Sequence, residues 1–400
     1  MNPDYGSFTR FLIARAAATL AYQMAGVAIG WHMYDLTGSP LALGLVGLVQ
    51  FVPSLLLALY VGHAADRYDR RIIVAISQGC EALALFTLAV FSLLHLINRD
   101  TILMVVFLLG IARAFEFATF QTLLPAVVPA EGLSAAIAKN ASVRQTAVII
   151  GPVLGGLLYV AGSGVVYLLG GCLFVLSAFS IATLRTKQRP LTVREPATLT
   201  SLFAGIRYIR SRPVLLGAIS LDLFAVLLGG ATALLPIFAK DILMTGPWGL
   251  GILRASPAVG ALAASLYLAQ KPLRRRVGKI MFASVAAFGL ATIVFALSKS
   301  IVLSCLALAL LGWSDMISVV IRASLVQLET PDEMRGRVSA VNAVFIGTSN
   351  EFGEFESGLT AAWFGVVPAA LLGGIGTLAV VAIWMYLFPQ LLQREKLHHN

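Results

Sequence analysis

Apolar runs of membrane-crossing length, separated by short polar turns, recur from one end of the chain to the other. A helix needs about 20 apolar residues to cross the hydrocarbon core. Runs of that order lie at 8–34, 41–63, 72–96, 101–128, 137–161, 163–184, 213–239, 247–270, 278–298, 300–328, 338–364 and 367–388. The pattern predicts an all-α membrane protein with twelve transmembrane helices and little chain left for a soluble domain. Polar residues 1–9 lead straight into a full-length span, so no cleavable leader is expected.

One long break interrupts the pattern. Residues 185–212 carry Arg185, Lys187, Arg189, Arg194, Arg207, Arg210 and Arg212 among Pro190 and Pro196, with Pro213 closing the stretch. Inside it, Leu202, Phe203, Ile206 and Ile209 are spaced for an amphipathic helix lying on the inner membrane surface. The break divides the chain into a six-span bundle at 1–184, a cytoplasmic linker at 185–212 and a second six-span bundle at 213–400. The halves repeat each other. Leu109 and Gly110 match Leu311 and Gly312 at an offset of 202, which also pairs Pro129 with Pro331, Asn140 with Asn342, Gly151 with Gly353 and Gly156 with Gly358. Two pseudo-symmetric six-helix bundles are expected.

Composition agrees: 58% hydrophobic and 12% charged, with a mean hydropathy of +0.88. The net charge of +10 would suit a nucleic-acid partner, but its distribution does not. With both termini inside, only Arg99, Lys240 and Lys299 fall in external turns, Arg15, Arg113, Arg254 and Arg322 lie within spans, and most other Lys and Arg are cytoplasmic. Cys80, Cys172 and Cys305 each fall inside a span and read as small apolar packers, not as a disulfide or metal set.

Between the second and third spans stands a short basic stretch at 62–71, with Gly62, Asp66, Arg67, Arg70 and Arg71 in the pattern Gly-x-x-x-Asp-Arg-x-x-Arg-Arg. A basic topogenic loop explains the arginines but not Gly62 or Asp66. The pattern resembles the loop between helices 2 and 3 of major facilitator transporters. That resemblance implies the major facilitator fold, alternating access, and a latch in which Asp66 caps or pairs with the start of span 11 through Arg337 or Arg335. Glycine at 62 would let backbones approach closely. The second half has a basic turn at 271–279 without the Asp-Arg core. In span 5, Gly151, Pro152, Gly155 and Gly156 form Gly-Pro-x-x-Gly-Gly, which resembles the fifth-helix motif of antiporters in the superfamily. Stretches 222–236, 330–338, 349–358 and 30–71 resemble the enterobactin-exporter-like family, which implies transport and leaves the substrate open.

Ionisable residues inside spans are rare and usually functional. Span 1 carries Tyr22 and Gln23, suggesting a face that lines a cavity. Arg113 and Glu116 share a face of span 4; they either neutralise each other or face that cavity. Span 7 holds Asp222, span 8 Arg254, and span 10 Asp315 and Arg322, on one face. Span 11 places Glu351, Glu354 and Glu356 within six residues; the first two share a face. Glu81, near the cytoplasmic end of span 3, reads as structural. Seven acids face four arginines, so at least three carboxyls lack an intramembrane arginine. Burial disfavours the anion, and a carboxyl titrating near neutrality can carry a proton. Asp222, Glu351, Glu354 and Glu356 are therefore the expected proton-coupling group, and Gln23, Arg113, Glu116, Arg254, Asp315 and Arg322 the expected substrate cavity. Alternatively the acids are neutral, bonded to backbone or to Ser349 and Asn350.

No nucleophile or metal set argues for an enzyme: His32, His63 and His95 are in separate segments, and no phosphate loop of the Gly-Lys-Thr type occurs. The expected protein is a monomeric, cofactor-free, proton-coupled exporter of a siderophore- or drug-like molecule at the bacterial inner membrane; a proton-coupled importer is the alternative. The topology is directly testable. Single cysteines placed at 190–200 in a cysteine-free background will resist an impermeant maleimide in intact cells and react after permeabilisation. Labelling from outside would overturn the topology.

Overall fold

The computed structural model describes residues 5–184, 199–273 and 275–397, and these contain helices and turns but no strand. In chain order the helices are α1 (Tyr5–Thr37), α2 (Pro40–Arg67), α3 (Arg70–Leu93), α4 (Arg99–Val127), α5 (Leu133–Tyr159), α6 (Ser163–Ala182), α7 (Leu199–Ser211), α8 (Pro213–Leu228), α9 (Leu235–Ile237), α10 (Pro247–Gln270), α11 (Val277–Leu297), α12 (Ile301–Glu329), α13 (Asp332–Phe364), α14 (Val366–Leu387) and α15 (Pro389–Leu392). Among the described residues, eleven of the twelve expected spans are helical stretches long and apolar enough to cross a membrane. The twelfth, α13, has 33 residues. Its apolar character is broken by Asp332, Glu333, Arg335 and Arg337 at its start and by the three glutamates further along.

Contacts gather the chain into two compact units: Met1–Gly38, Val49–Pro196 and Thr245–Ala255 in the first, and Ser39–Leu48, Ala197–Met244 and Ser256–Asn400 in the second. Within the first, α1 packs on α5 and α6, and α3 on α4 and α6. Within the second, α8 packs on α13 and α14, and α11 on α12 and α14. The sequence repeat thus reappears as one packing scheme used twice. Phe11, Val74, Phe120, Leu123 and Ile181 build a core in the first unit; Leu215, Leu221, Phe282, Ile321 and Leu325 build one in the second. Polar groups join helices within each: buried Ser177 Oγ donates to the Ala14 carbonyl at 2.9 Å, and half-buried Trp384 Nε1 to Ser220 Oγ at 2.9 Å.

Several expectations are corrected. The seventh span is not continuous: α8 ends at Leu228, and the path continues through a 3-10 turn (Ala231–Leu234), α9 and a π-turn (Phe238–Ile242). Gly229 and Gly230, poor helix formers, stand at the break. At Gly230 the backbone of Gly353 in α13 comes so close that a β-carbon would meet it at 2.7 Å. The stretch at 62–71 is mostly helix, since α2 runs to Arg67 and α3 begins at Arg70. Gly62 lies inside α2 with nothing within 4 Å of where a β-carbon would stand, so the close approach expected there is absent. The linker helix α7 does not rest on a membrane surface by its whole apolar face. Ile206 and Ile209 pack into the second unit's core, while Phe203 is exposed. Tyr208 Oη donates to the Glu329 carbonyl at 2.8 Å. Cys80 and Cys172 are exposed on their helices, not packed inside, and all three cysteines are free thiols.

In the second unit, α10 and α12 cross where glycine leaves no side chain between them. A β-carbon on Gly312 would overlap the Pro257 carbonyl, and one on Gly260 the Ala309 carbonyl. Gly312→Val will therefore lower the thermal midpoint of the detergent-solubilised protein, at an overpacking cost of about 1–3 kcal/mol. An unchanged midpoint by tryptophan fluorescence would show the crossing to be loose.

Candidate functional site

Each unit buries one group of charges, carried by the helices that the repeat makes equivalent. In the second unit Asp222 stands nine residues into α8, about 14 Å along its axis at 1.5 Å per residue. Arg322 of α12 reaches it at 3.1 Å, with the two side chains only 4% and 6% exposed. Arg322 Nη1 also donates to Asn342 Oδ1 of α13 at 3.3 Å, and its Nε has no partner. Asp222 and Asp315 line one small cavity with Ser314 and Ser318, closed on the apolar side by Val285 and Phe288 of α11. Its volume of about 10 Å³ has room for one water. Ser318 Oγ, buried there, has no partner. Asp315 lies within electrostatic range of Arg322 as well, so two carboxyls stand against one guanidinium, a net charge of −1 when both are ionised and zero when one carries a proton.

In the first unit Arg113 and Glu116 of α4 form an ion pair. The Arg113 guanidinium lies 4.1 Å from the centre of the Tyr22 ring in α1, a cation–π contact. Gln50 Nε2 of α2 donates to Tyr22 Oη at 3.1 Å. Glu116 is 1% exposed, so the pair satisfies itself inside the bundle while Arg113 keeps an open edge. Both readings of this pair thus have a structural counterpart.

Asp222, Asp315 and Arg322, expected in two different roles, come together. Arg254 does not join them. It lies in the first unit and donates to the Gly26 carbonyl of α1 at 2.6 Å, because the opening turns of α10 belong to that unit. Glu351 and Glu354 are side by side on α13, as expected. A β-carbon on Gly47 would stand 2.8 Å from Glu354 Oε2 and 3.6 Å from Glu351 Oε2. Neither lines the cavity at Asp222 and Asp315. Glu356 turns back along its own helix and accepts from Thr360 Oγ1 at 2.7 Å.

The fifth-helix motif is a packing surface. A β-carbon on Gly151 would stand 2.6 Å from Gln23 Cβ, one on Gly155 would stand 2.8 Å from Met24 Cα, and one on Gly156 would overlap the Pro247 carbonyl. At the turn after α2, the side chain of Asp66 lies outside the described residues, and Arg67 is exposed. Asp69 supplies what can be followed there. It caps α3, accepting from the Arg71 amide at 2.9 Å, and pairs with the Arg71 guanidinium at 2.7 Å. That bond from Arg71 holds the Asp69 carboxyl below its ordinary range. Arg71 also donates to the Leu184 carbonyl at 2.6 Å. Near the start of α13, Arg335 pairs with Asp332 at 2.6 Å and Arg337 donates to Met334 Sδ at 3.6 Å.

Sequence reasoning missed Glu81 as a member of a charged site. It is 1% exposed and within electrostatic range of Glu116 and Arg113. Its four-residue neighbourhood with Gln78, two amide or acid groups one turn apart in an apolar helix, was the available signal.

A family model described as transmembrane secretion effector matches residues 4–398. The chain is 28% identical over 396 residues to the enterobactin exporter EntS of Citrobacter koseri, covering 96% of this chain and 92% of the relative. It is 26% identical over 392 residues to that of Salmonella typhimurium, covering 96% and 93%. Among solved structures, the nucleoside transporter NupG aligns with a TM-score of 0.73 at 16% identity, over 97% of this chain and 99% of that one. A bacterial homologue of the iron transporter ferroportin aligns with a TM-score of 0.73 at 15% identity, over 98% and 100%. At such identities the likeness to the solved structures concerns the fold.

The buried triad makes a prediction of its own. Arg322→Met leaves Asp222 and Asp315 without their guanidinium and will cost about 3–5 kcal/mol of stability at neutral pH. Pairing it with Asp222→Asn will recover most of that loss. Equal thermal midpoints for the single and double variants would mean that the pair carries no coupling.

Proposed function

We propose that this chain, which belongs to the transmembrane secretion effector family of major facilitator transporters, exports a siderophore- or drug-like molecule across the bacterial inner membrane. Protons moving inward drive it, by alternating access. The chain is a transporter and not an enzyme, as its family and fold are. The observation that carries the proton reading is the buried Asp222–Arg322 ion pair with Asp315 in electrostatic range of it, the two carboxyls lining a water-sized cavity. A single proton neutralises it, and a cationic group on a substrate would do the same. Glu351 and Glu354 serve as a second acid pair of the coupling group, and the Arg113–Glu116 pair contacts substrate together with Gln23. Glu356, which accepts from Thr360 within α13, is the remaining acid of the coupling group.

Export is favoured by the curated relatives named as enterobactin exporters and by the Gly-Pro-x-x-Gly-Gly pattern in α5. The proposed working form is a monomer of two bundles, 1–184 and 213–400, with the linker and both termini cytoplasmic. Asp66 and Arg337 act as a latch on that side, in company with Arg67, Arg70 and Arg71. No cofactor is involved.

Inverted vesicles under an imposed pH gradient test the whole reading, with enterobactin and a panel of cationic drugs as probes. A transported compound will accumulate only with the gradient, and its addition will release lumenal protons. Asp222→Asn, Asp315→Asn, Glu351→Gln and Glu354→Gln will each cut gradient-driven uptake at least tenfold while leaving exchange of labelled for unlabelled probe intact. Retained active transport in all four variants would remove the group from the mechanism. Protons and probe moving in the same direction would replace export by import.

A further inference from the structure

The ion pair in the first unit leaves part of its polar surroundings unexplained. Gln78 and Glu81 stand one turn apart on α3, and Glu116 and Thr119 one turn apart on α4, the two helices being packed together. Gln78 and Thr119 are 0% exposed and Glu81 1%. Neither amide atom of Gln78, nor Glu81 Oε2, nor Thr119 Oγ1, nor Nε of Arg15 on α1 has a hydrogen-bond partner. Buried polar atoms seldom lack partners, and each that does costs about 1–3 kcal/mol. Internal water, which makes 2–4 hydrogen bonds where it is held, is what satisfies buried polar groups of this kind.

The charges around Glu81 show why it differs from Glu116. Arg113 is already paired with Glu116. Arg15 lies in range of Glu116, Arg113 and Arg144 of α5, and Tyr22 in range of Arg113. Helix α6, which also packs on α3, carries no charged residue. Glu81 therefore faces a guanidinium in use and a second carboxyl. Ionised there without a partner of its own, it would cost several kcal/mol; a proton on it removes that cost and supplies a donor for the orphaned Gln78 oxygen or for water.

We propose that Glu81 is a second proton site, housed in the first unit, that holds its proton while Arg113 is engaged with Glu116. When the proton leaves to internal water, Arg113 is drawn from Glu116 toward Glu81. Because the guanidinium lies on Tyr22, whose hydroxyl accepts from Gln50, the shift is passed to α1 and α2. This deepens the proton-coupled reading and rests on it. It adds a proton site in the first unit to the acids of the second.

Infrared difference spectra of the full chain in lipid vesicles, recorded as pH is raised, test the site without any transported probe. The wild type will show the carbonyl stretch of a neutral carboxylic acid, displaced when glutamate is ¹³C-labelled. Glu81→Gln will remove part of that labelled component, and Asp315→Asn will leave it whole. An unchanged labelled band in Glu81→Gln overturns the proposal, as does a wild type without one. Should Glu81→Gln not fold, Glu81→Asp must move that part of the band out of the glutamate-labelled set, and a band that stays whole overturns the proposal equally. In the vesicle assay Glu81→Gln will lower the proton-to-enterobactin ratio by one. Wild-type vesicles that transport without any gradient would sink the coupling reading and leave the infrared result standing.

Discussion

A charge in hydrocarbon must be neutralised where it stands, and that requirement shapes the interior of both units. The first unit places these charges on its first, third and fourth helices and the second on its first and fourth, and each puts two carboxyls within electrostatic reach of one arginine. The signs are rearranged between the halves. At the repeat offset Arg113 of α4 corresponds to Asp315 of α12, and Glu116 to Ser318. In the first unit the second acid comes from α3, as Glu81; in the second it comes from α8, as Asp222, and Val285 and Phe288 of α11 close the site with apolar groups. Duplication kept the location of the polar interior while its chemistry diverged.

The surroundings follow from that location. A buried pair at 4% and 6% exposure needs rigid walls, since water admitted freely would screen it. The helices around it are packed at close range through small residues, as at the crossing of α10 and α12. Close crossings of this kind are how membrane helices associate without a hydrophobic drive between them. The break after α8 belongs to the same economy: irregular backbone is tolerated at membrane depth only where protein surrounds it, and Gly230 lies against the Gly353 backbone of α13.

The spans were legible because hydropathy at the length of a bilayer is a strong, local signal. The Arg113–Glu116 pair was legible because it too is local, set by helical spacing alone, whereas the bond of Glu356 with Thr360 was not read from it. Contacts that join distant stretches were not. Nothing in the sequence tells that Arg322 selects Asp222 and Asn342, or that Arg254 turns to the Gly26 carbonyl. The paired glycines at 229 and 230 were visible, but glycine alone does not distinguish a break from a crossing. At 62–71 the basic motif was read as a loop because charge usually marks one, whereas helix α2 carries its charges as far as Arg67.

On the proposed reading, the α5 motif and the carboxylates divide the work of exchange between them. Gly151, Gly155 and Gly156 act by the side chains they lack, the first admitting the Gln23 side chain and the other two letting backbone meet backbone, and so they have no group that could hold a proton or a substrate. Coupling has to reside where charge does. A site of two carboxyls and one guanidinium, in a space for a single water, has two neutral arrangements: one proton bound, or one positive group of a substrate in its place. Both together would leave an excess positive charge, and neither leaves an excess negative one, each disfavoured away from water. Mutual exclusion at such a site, on the proposed reading, is sufficient to make proton and substrate travel in opposite directions, with no further device in the fold.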